Sequence, residues 1–238
     1  MELITREKHR NLISEEHIIK FFDNETHAES LLNNGEMLFR PLKHFTELEE
    51  AGRGDKSESI FKSSGTLCCK TPDETLYHKL VDYNCLRRNI KRPIYCYMRL
   101  SKDNFLDNGS IALDYETLNY FGLNKNSLFG VILDKKQFEN RVIEFLTKFD
   151  IGYDIANIRY TNKEIDHEMV MQALLGQSNL AYFHKPLEYS GQQERRIMLG
   201  EYIDDLIERG IMEKFRDGGK IYIGDLSAFG IICKVTNI

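Results

Sequence analysis

Tryptophan is absent from this 238-residue chain, proline occurs four times and cysteine five times. The cysteines, Cys68, Cys69, Cys85, Cys96 and Cys233, are odd in number and form no Cys-x-x-Cys pair. That argues against a disulfide framework and a structural zinc site, and for a reducing compartment. The few prolines (Pro41, Pro72, Pro93, Pro186) build no proline-rich linker, and neither an internal repeat nor a low-complexity tract occurs. No run approaches the roughly 18 apolar residues of a membrane-spanning helix. The opening stretch MELITREKHRNLISEEH is charged throughout, so no signal peptide is expected and a cytoplasmic location is. A charge excess is missing as well, since 32 basic residues face 37 acidic ones for a net −5. No overall positive field draws the chain to nucleic acid, so any such contact must be local.

Signature motifs are equally scarce. The chain holds no G-x-x-x-x-G-K-[ST], G-x-G-x-x-G, H-E-x-x-H or G-x-S-x-G. P-loop nucleotide hydrolysis, zinc proteolysis and serine hydrolysis therefore lose their usual signals. The seven histidines are scattered singly, and no metal is expected.

What is present is an ordinary globular composition, 42% apolar and 29% charged, with 14 Phe and 12 Tyr. HIIKFF (17–22) reads as a strand, Asp23 or Asn24 as the cap of a helix over 25–32, and Gly35 as its stop. EMLFR (36–40) reads as a strand ending at Pro41. The polar stretch 47–65 reads as a loop with a helical turn at FTELEE, SSGTLCCK as a strand and 75–88 as a helix. IYCYMRL (94–100) and FGVILD (129–134) read as strands. In KKQFENRVIEFLTKF the residues Phe138, Val142, Phe145, Leu146 and Phe149 form an amphipathic helical stripe. Further strands are expected at 156–161, 195–199, 220–223 and 230–235, with helices at 164–175 and 201–209. Short strands mixed with few helices, without a βαβ rhythm, predict an α+β fold. On a prior of about 150 residues per domain, the simplest organisation is one domain over 1–238 with a polar insertion at about 47–92.

The most informative stretch is FHKPLEYSGQQERRIML (183–199). It places Tyr189, a Ser-Gly turn, and then Gln192 and Glu194 one residue apart at the mouth of an apolar strand. Strand alternation predicts that Gln192 and Glu194 point to one side. Such a carboxylate can stabilise the oxocarbenium-like carbon formed when a glycosidic bond breaks. The amide can hold an incoming nucleophile without ionising. The plainer reading pairs Glu194 with Arg195, Arg196 or Lys185 on a solvated edge.

YSGQQERRIML resembles the catalytic turn and strand of mono-ADP-ribosyltransferases, closest to members that modify small GTPases or DNA guanine. HIIKFFDNETHAESLLNNGEMLF has the strand, helix and strand order with which that superfamily begins. The resemblance implies an NAD-dependent transferase in which Glu194 binds the nicotinamide ribose, Gln192 recognises the acceptor and Tyr189 lies over the target. A Gln at 192 implies an amide, hydroxyl or nucleobase acceptor. The chain departs from the pattern on its first strand, where an Arg or His usually grips NAD and Lys20, Phe21 and Phe22 stand instead. Arg40, one strand later, and Arg53 in AGRGDKSE are the cations that could replace it. The middle motif has no clean counterpart, although Tyr95, Tyr97 and Ser101 lie on a plausible strand.

A wider pattern over about 15–60 and 93–230 also resembles bacterial proteins found beside phage-defence genes. That implies a toxin, with RNA slightly favoured over DNA or protein as acceptor, and an antitoxin as partner. Arg87, Arg88, Lys91 and Arg92 are the expected local patch for nucleic acid, or else a solvated helix end. Two alternatives stay open, a catalytically silent module of the same fold that binds a nucleotide or a protein, and an NAD glycohydrolase.

Overall fold

The computed structural model describes residues 2–3, 17–47, 61–70, 75–85, 91–101, 104, 111–113, 128–161 and 179–235. The chain begins with β1 (Glu2–Leu3), β2 (His17–Phe22), α1 (Glu25–Asn34), β3 (Glu36–Pro41) and α2 (Leu42–Glu47). There follow β4 (Phe61–Lys70), β5 (Thr75–Cys85), β6 (Pro93–Arg99), β7 (Ile111–Ala112) and β8 (Leu128–Asp134). Then come α3 (Lys135–Lys148), β9 (Tyr153–Asn157), β10 (Arg159–Thr161), β11 (His184–Pro186) and β12 (Glu194–Leu199). The last elements are α4 (Ile203–Glu208), β13 (Glu213–Phe215), β14 (Gly218–Tyr222) and β15 (Gly230–Val235). The fold is α+β, with a mostly antiparallel sheet and few helices.

The chain divides into two compact units, the first of residues 1–56, 91–157 and 191–238, the second of 57–90 and 158–190. Most of the segment read as an insertion, 57–90, thus belongs with 158–190. The second unit contains the antiparallel hairpin β4–β5 and the parallel pair β10–β11. The helix expected over 75–88 is instead strand β5 for residues 75–85. Its backbone groups are satisfied across the hairpin, from Phe61↔Cys85 to Lys70↔Thr75, instead of within a helix. The same ladder ends the expected 47–65 loop early, because β4 begins at Phe61. The single strand expected at 156–161 is two strands that part at buried Ile158. The helix expected at 164–175 lies outside the described residues.

The first unit holds an 11-stranded sheet in the order β13-β14-β3-β6-β2-β8-β15-β1-β7, with β12 beside β6 and β9 beyond it. Its helices obey local chemistry. Asn24 caps α1 by accepting from the Thr26 N–H at 2.9 Å, and Asp134 caps α3 by accepting from Gln137 at 2.8 Å. Gly35 ends α1 at φ 64°, where an added Cβ would meet the Gly224 carbonyl oxygen at 2.4 Å, so only glycine fits.

One face of the sheet carries Ile18, Tyr95, Tyr97, Val131, Leu133 and Ile197, and it packs against the buried Phe138, Val142 and Leu146 of α3 and Leu31 of α1. The other carries Ile19, Met98, Ile132, Ile231 and Cys233. Within the first core the Tyr95 ring lies among Phe39, Tyr97 and Phe138, and its buried hydroxyl has no hydrogen-bond partner among the described residues. An orphaned buried hydroxyl costs about 1–3 kcal/mol. Tyr95→Phe keeps the ring and is expected to raise the melting temperature by a few degrees, roughly 2–4 °C per kcal/mol at this chain length. A lower melting temperature in a thermal scan would show that the hydroxyl has a partner.

Candidate functional site

The approach to β12 is not the turn read from the sequence. Tyr189, Ser190, Gly191 and Gln192 lie in a 3-10 helix, Leu187–Gln192, and the left-handed residue is Gln193 at φ 42°. Strand alternation therefore does not reach Gln192, since β12 begins at Glu194. Gln192 and Glu194 are nonetheless both buried, each 7% exposed. The Gln193 carbonyl accepts from the Arg99 N–H at 3.0 Å, which holds this strained residue against β6.

Cross-strand register sorts the candidate residues by face, because directly opposed residues point the same way. Glu194 lies opposite Met98, and Met98 opposite Ile19. Arg196 lies opposite Cys96, and Arg40 opposite Ile94. By alternation, Phe21, Arg40, Cys96, Glu194 and Arg196 share one face. Lys20, Phe22, Tyr97 and Arg195 project from the other, the face of α3. Of the described sheet residues expected to bind NAD, Phe21 and Arg40 stand on the face of Glu194.

Glu194 is paired with Arg196, two residues along the same strand, and Arg196 is 1% exposed. The charges offset one another inside the unit, where neither could stand alone cheaply. Burial first, and the neighbouring Glu194 carboxylate second, push the Cys96 thiol up to about 12. Cys96 is half-buried, so its low reactivity rests on the raised thiol, which holds far less thiolate at pH 8 than an ordinary thiol. Iodoacetamide at pH 8 followed by peptide mapping is expected to leave Cys96 unmodified in the folded protein. Labelling as fast as in the urea-unfolded chain would contradict this.

β6 has β12 along one side, whereas β3 meets only its first two residues and β2 its last two on the other. Lys20 reaches into the gap between β2 and β3. Its ammonium donates to the Cys96 carbonyl at 2.7 Å and sits 4.7 Å from the centre of the Tyr95 ring. Arg40 is half-buried. It donates to His44 Nε2, while His44 Nδ1 lies against the Asp217 carboxylate.

Tyr97 is equally engaged. Its hydroxyl donates to Glu139 Oε1 at 2.8 Å, and Arg195 grips the same carboxylate through Nε at 2.6 Å and Nη2 at 3.0 Å. Arg195 Nη1 also donates to Asn157 Oδ1 at 2.9 Å. Burial first, then the charge of Glu139, hold the Tyr97 phenol well above its ordinary range. Phe22 packs on the core of that face.

Tyr189 belongs to the second unit and is half-buried, with the Lys185 ammonium 5.7 Å from its ring centre. Lys91 is exposed and Arg92 half-buried, while Arg53, Arg87 and Arg88 lie outside the described residues. Sequence reasoning missed Glu139 and the burial of Arg196. Glu139 had a signal, being a carboxylate beside Phe138 at the border of the apolar stripe of α3. Nothing local marks Arg196 as the arginine that turns inward, because Arg195 precedes it and only the register separates them.

Among the described residues no three His, Cys, Asp or Glu side chains gather to hold a metal ion, and no helix is long and apolar enough to cross a membrane. Comparison of the chain with protein-family models, with curated proteins and with solved structures returns no match.

Proposed function

We propose that the protein is an NAD-dependent mono-ADP-ribosyltransferase of ADP-ribosyltransferase-like fold, acting as a toxin on a macromolecule. The observation that carries the reading is Glu194 itself, a buried carboxylate opening an inner strand directly after a left-handed residue, with Gln192 buried just before it. A carboxylate so placed can meet the positive charge of a ribosyl carbon. The bond from ribose C1′ to nicotinamide breaks, its electron pair leaves with neutral nicotinamide, and Glu194 steadies the cationic carbon. The acceptor then attacks C1′ and gives its proton to solvent, with Gln192 orienting the acceptor without taking that proton. Phe21 offers an apolar surface on the same face, and Arg40 a cation for the diphosphate once it exchanges its contacts with His44 and Asp217. Lys20 is committed to the Cys96 carbonyl and serves the sheet. The acceptor class is nucleic acid, RNA ahead of DNA, in phage defence with an antitoxin as partner.

The test is incubation of the full chain with adenylate-labelled NAD and total RNA, DNA or protein. Label in a macromolecular fraction supports transfer, and free labelled ADP-ribose alone makes the protein an NAD glycohydrolase.

The contact of Glu194 with Arg196 favours a second reading, in which the carboxylate is structural and the chain is a binding module. A ligand at 100 times its dissociation constant adds about 2.7 kcal/mol of stability. A melting temperature unmoved by NAD and by ADP-ribose, together with no labelling, selects a module that binds a protein.

A further inference from the structure

We propose that Glu139 of α3 is a positioning residue for Glu194, acting through Arg195. The inference rests on reading Glu194 as the group that faces the reacting ribose. Register places Asn157, Arg195 and Tyr97 in one row across β9, β12 and β6. Glu139 stands over that row and takes hydrogen bonds from Tyr97 and, through both of its oxygens, from Arg195. Arg195 extends the row by donating to Asn157. One carboxylate therefore ties two strands to a helix, and a third strand through Arg195.

The row is the last in which β12 is held on both sides. The β9–β12 ladder ends at Arg195↔Asn157, so among the described strands the ladder partner of Glu194 is Met98 of β6. Just before it the backbone turns left-handed at Gln193. A strand end next to a strained residue frays readily. Adjacent strand side chains point to opposite faces, so whatever fixes the roll of Arg195 also fixes the direction of Glu194. A bidentate guanidinium–carboxylate contact fixes that roll better than a single hydrogen bond does, since its two bonds define a plane. Glu139 and Arg195 are 13% and 17% exposed, shielded enough for the contact to keep its geometry.

The experiment compares Glu139→Gln, Arg195→Met and the double variant in the full chain, with two readouts. The first is nicotinamide release from NAD. Positioning predicts that kcat falls about tenfold or more in each single variant while KM for NAD changes less than about twofold. The double variant loses no more than either single one, because the two side chains form one device. Additive losses, or a change confined to KM, overturn the proposal.

The second readout needs no turnover. Cys96 lies opposite Arg196 on the face of Glu194, and the Glu194 carboxylate is among the groups that raise its thiol. Loss of the latch is expected to speed iodoacetamide labelling of Cys96 about tenfold while buried Cys233 stays protected. If Cys96 stays as protected as in the parent, or Cys96 and Cys233 open together, Glu139 is merely structural. Should the parent release no nicotinamide, the functional reading fails and the thiol readout still decides the positioning role.

Discussion

Glu194→Gln is expected to lower the rate of nicotinamide release from NAD by about 10²–10³-fold. That is the usual cost of removing one group that stabilises transition-state charge. A glutamine at 194 keeps the volume and an oxygen that can still accept from Arg196, but it leaves the buried Arg196 without its anion, so the variant is expected to melt below the parent and its rate is read well below that melting temperature. What disappears is the negative charge, which matters most as the ribosyl carbon becomes cationic. The loss is therefore expected in kcat, with KM for NAD little changed. Glu194→Asp makes the complementary point, since it keeps the charge but withdraws it by one methylene. Its loss is expected to be similar in kind and smaller in size. If Glu194→Gln releases nicotinamide at the parental rate, Glu194 is not the stabilising group.

Arg196→Met is expected to cost the protein about 3–5 kcal/mol, because it takes the buried guanidinium away from the buried Glu194 carboxylate. At 2–4 °C per kcal/mol this is a fall of roughly 6–20 °C in melting temperature. Arg196 is 1% exposed and among the largest fully buried side chains of the described residues, so solvent can do little to compensate. Combining Arg196→Met with Glu194→Gln removes both charges and is expected to recover most of the loss, since an apolar and neutral replacement of a buried pair is often neutral. The double variant thus separates the two readings of Glu194. If it recovers stability without activity, the pair holds a charge that folding does not need and that chemistry does. If Arg196→Met melts within about a degree of the parent, the pair is not the buried contact described.

The parts of the fold that were legible in the sequence are those decided by neighbouring residues. The stripe of Phe138, Val142 and Leu146 specifies α3, and Asn24 and Gly35 mark the ends of α1 within two residues. The α+β class follows from many short strands and few helices. Thr75–Cys85 was illegible for a physical reason, since Leu76, Tyr77, Leu80, Val81 and Tyr83 fit a helical spacing as well as a strand. The partner strand β4 decides the outcome from outside the segment. Of the candidate site, the start of the apolar strand was legible, since β12 begins at Glu194. Gln192 and Glu194 were expected to gather at the start of an apolar strand, and both are buried there. Their relation is not strand alternation, because the left-handed residue is Gln193 and nothing in Ser-Gly-Gln-Gln identifies it.

Which candidates share a face with Glu194 was also beyond local reading. Lys20 and Phe21 are neighbours in sequence, yet alternation sends one to the face of α3 and the other to the face of Glu194. Only the pairing of β2 with β6 and of β6 with β12 reveals which is which. Arg40 could not be chosen over Lys20 from sequence alone, because its alignment with Glu194 passes through Ile94 on the strand between them.

The most direct test of the central claim is a side-by-side incubation of the parent chain and Glu194→Gln with adenylate-labelled NAD and total cellular RNA, following nicotinamide release and label in the RNA together. The expected result is nicotinamide release matched by labelled RNA for the parent, and both lowered at least about a hundredfold for Glu194→Gln at a temperature where both proteins are folded. No nicotinamide from the parent, or equal labelling by both proteins, would contradict it.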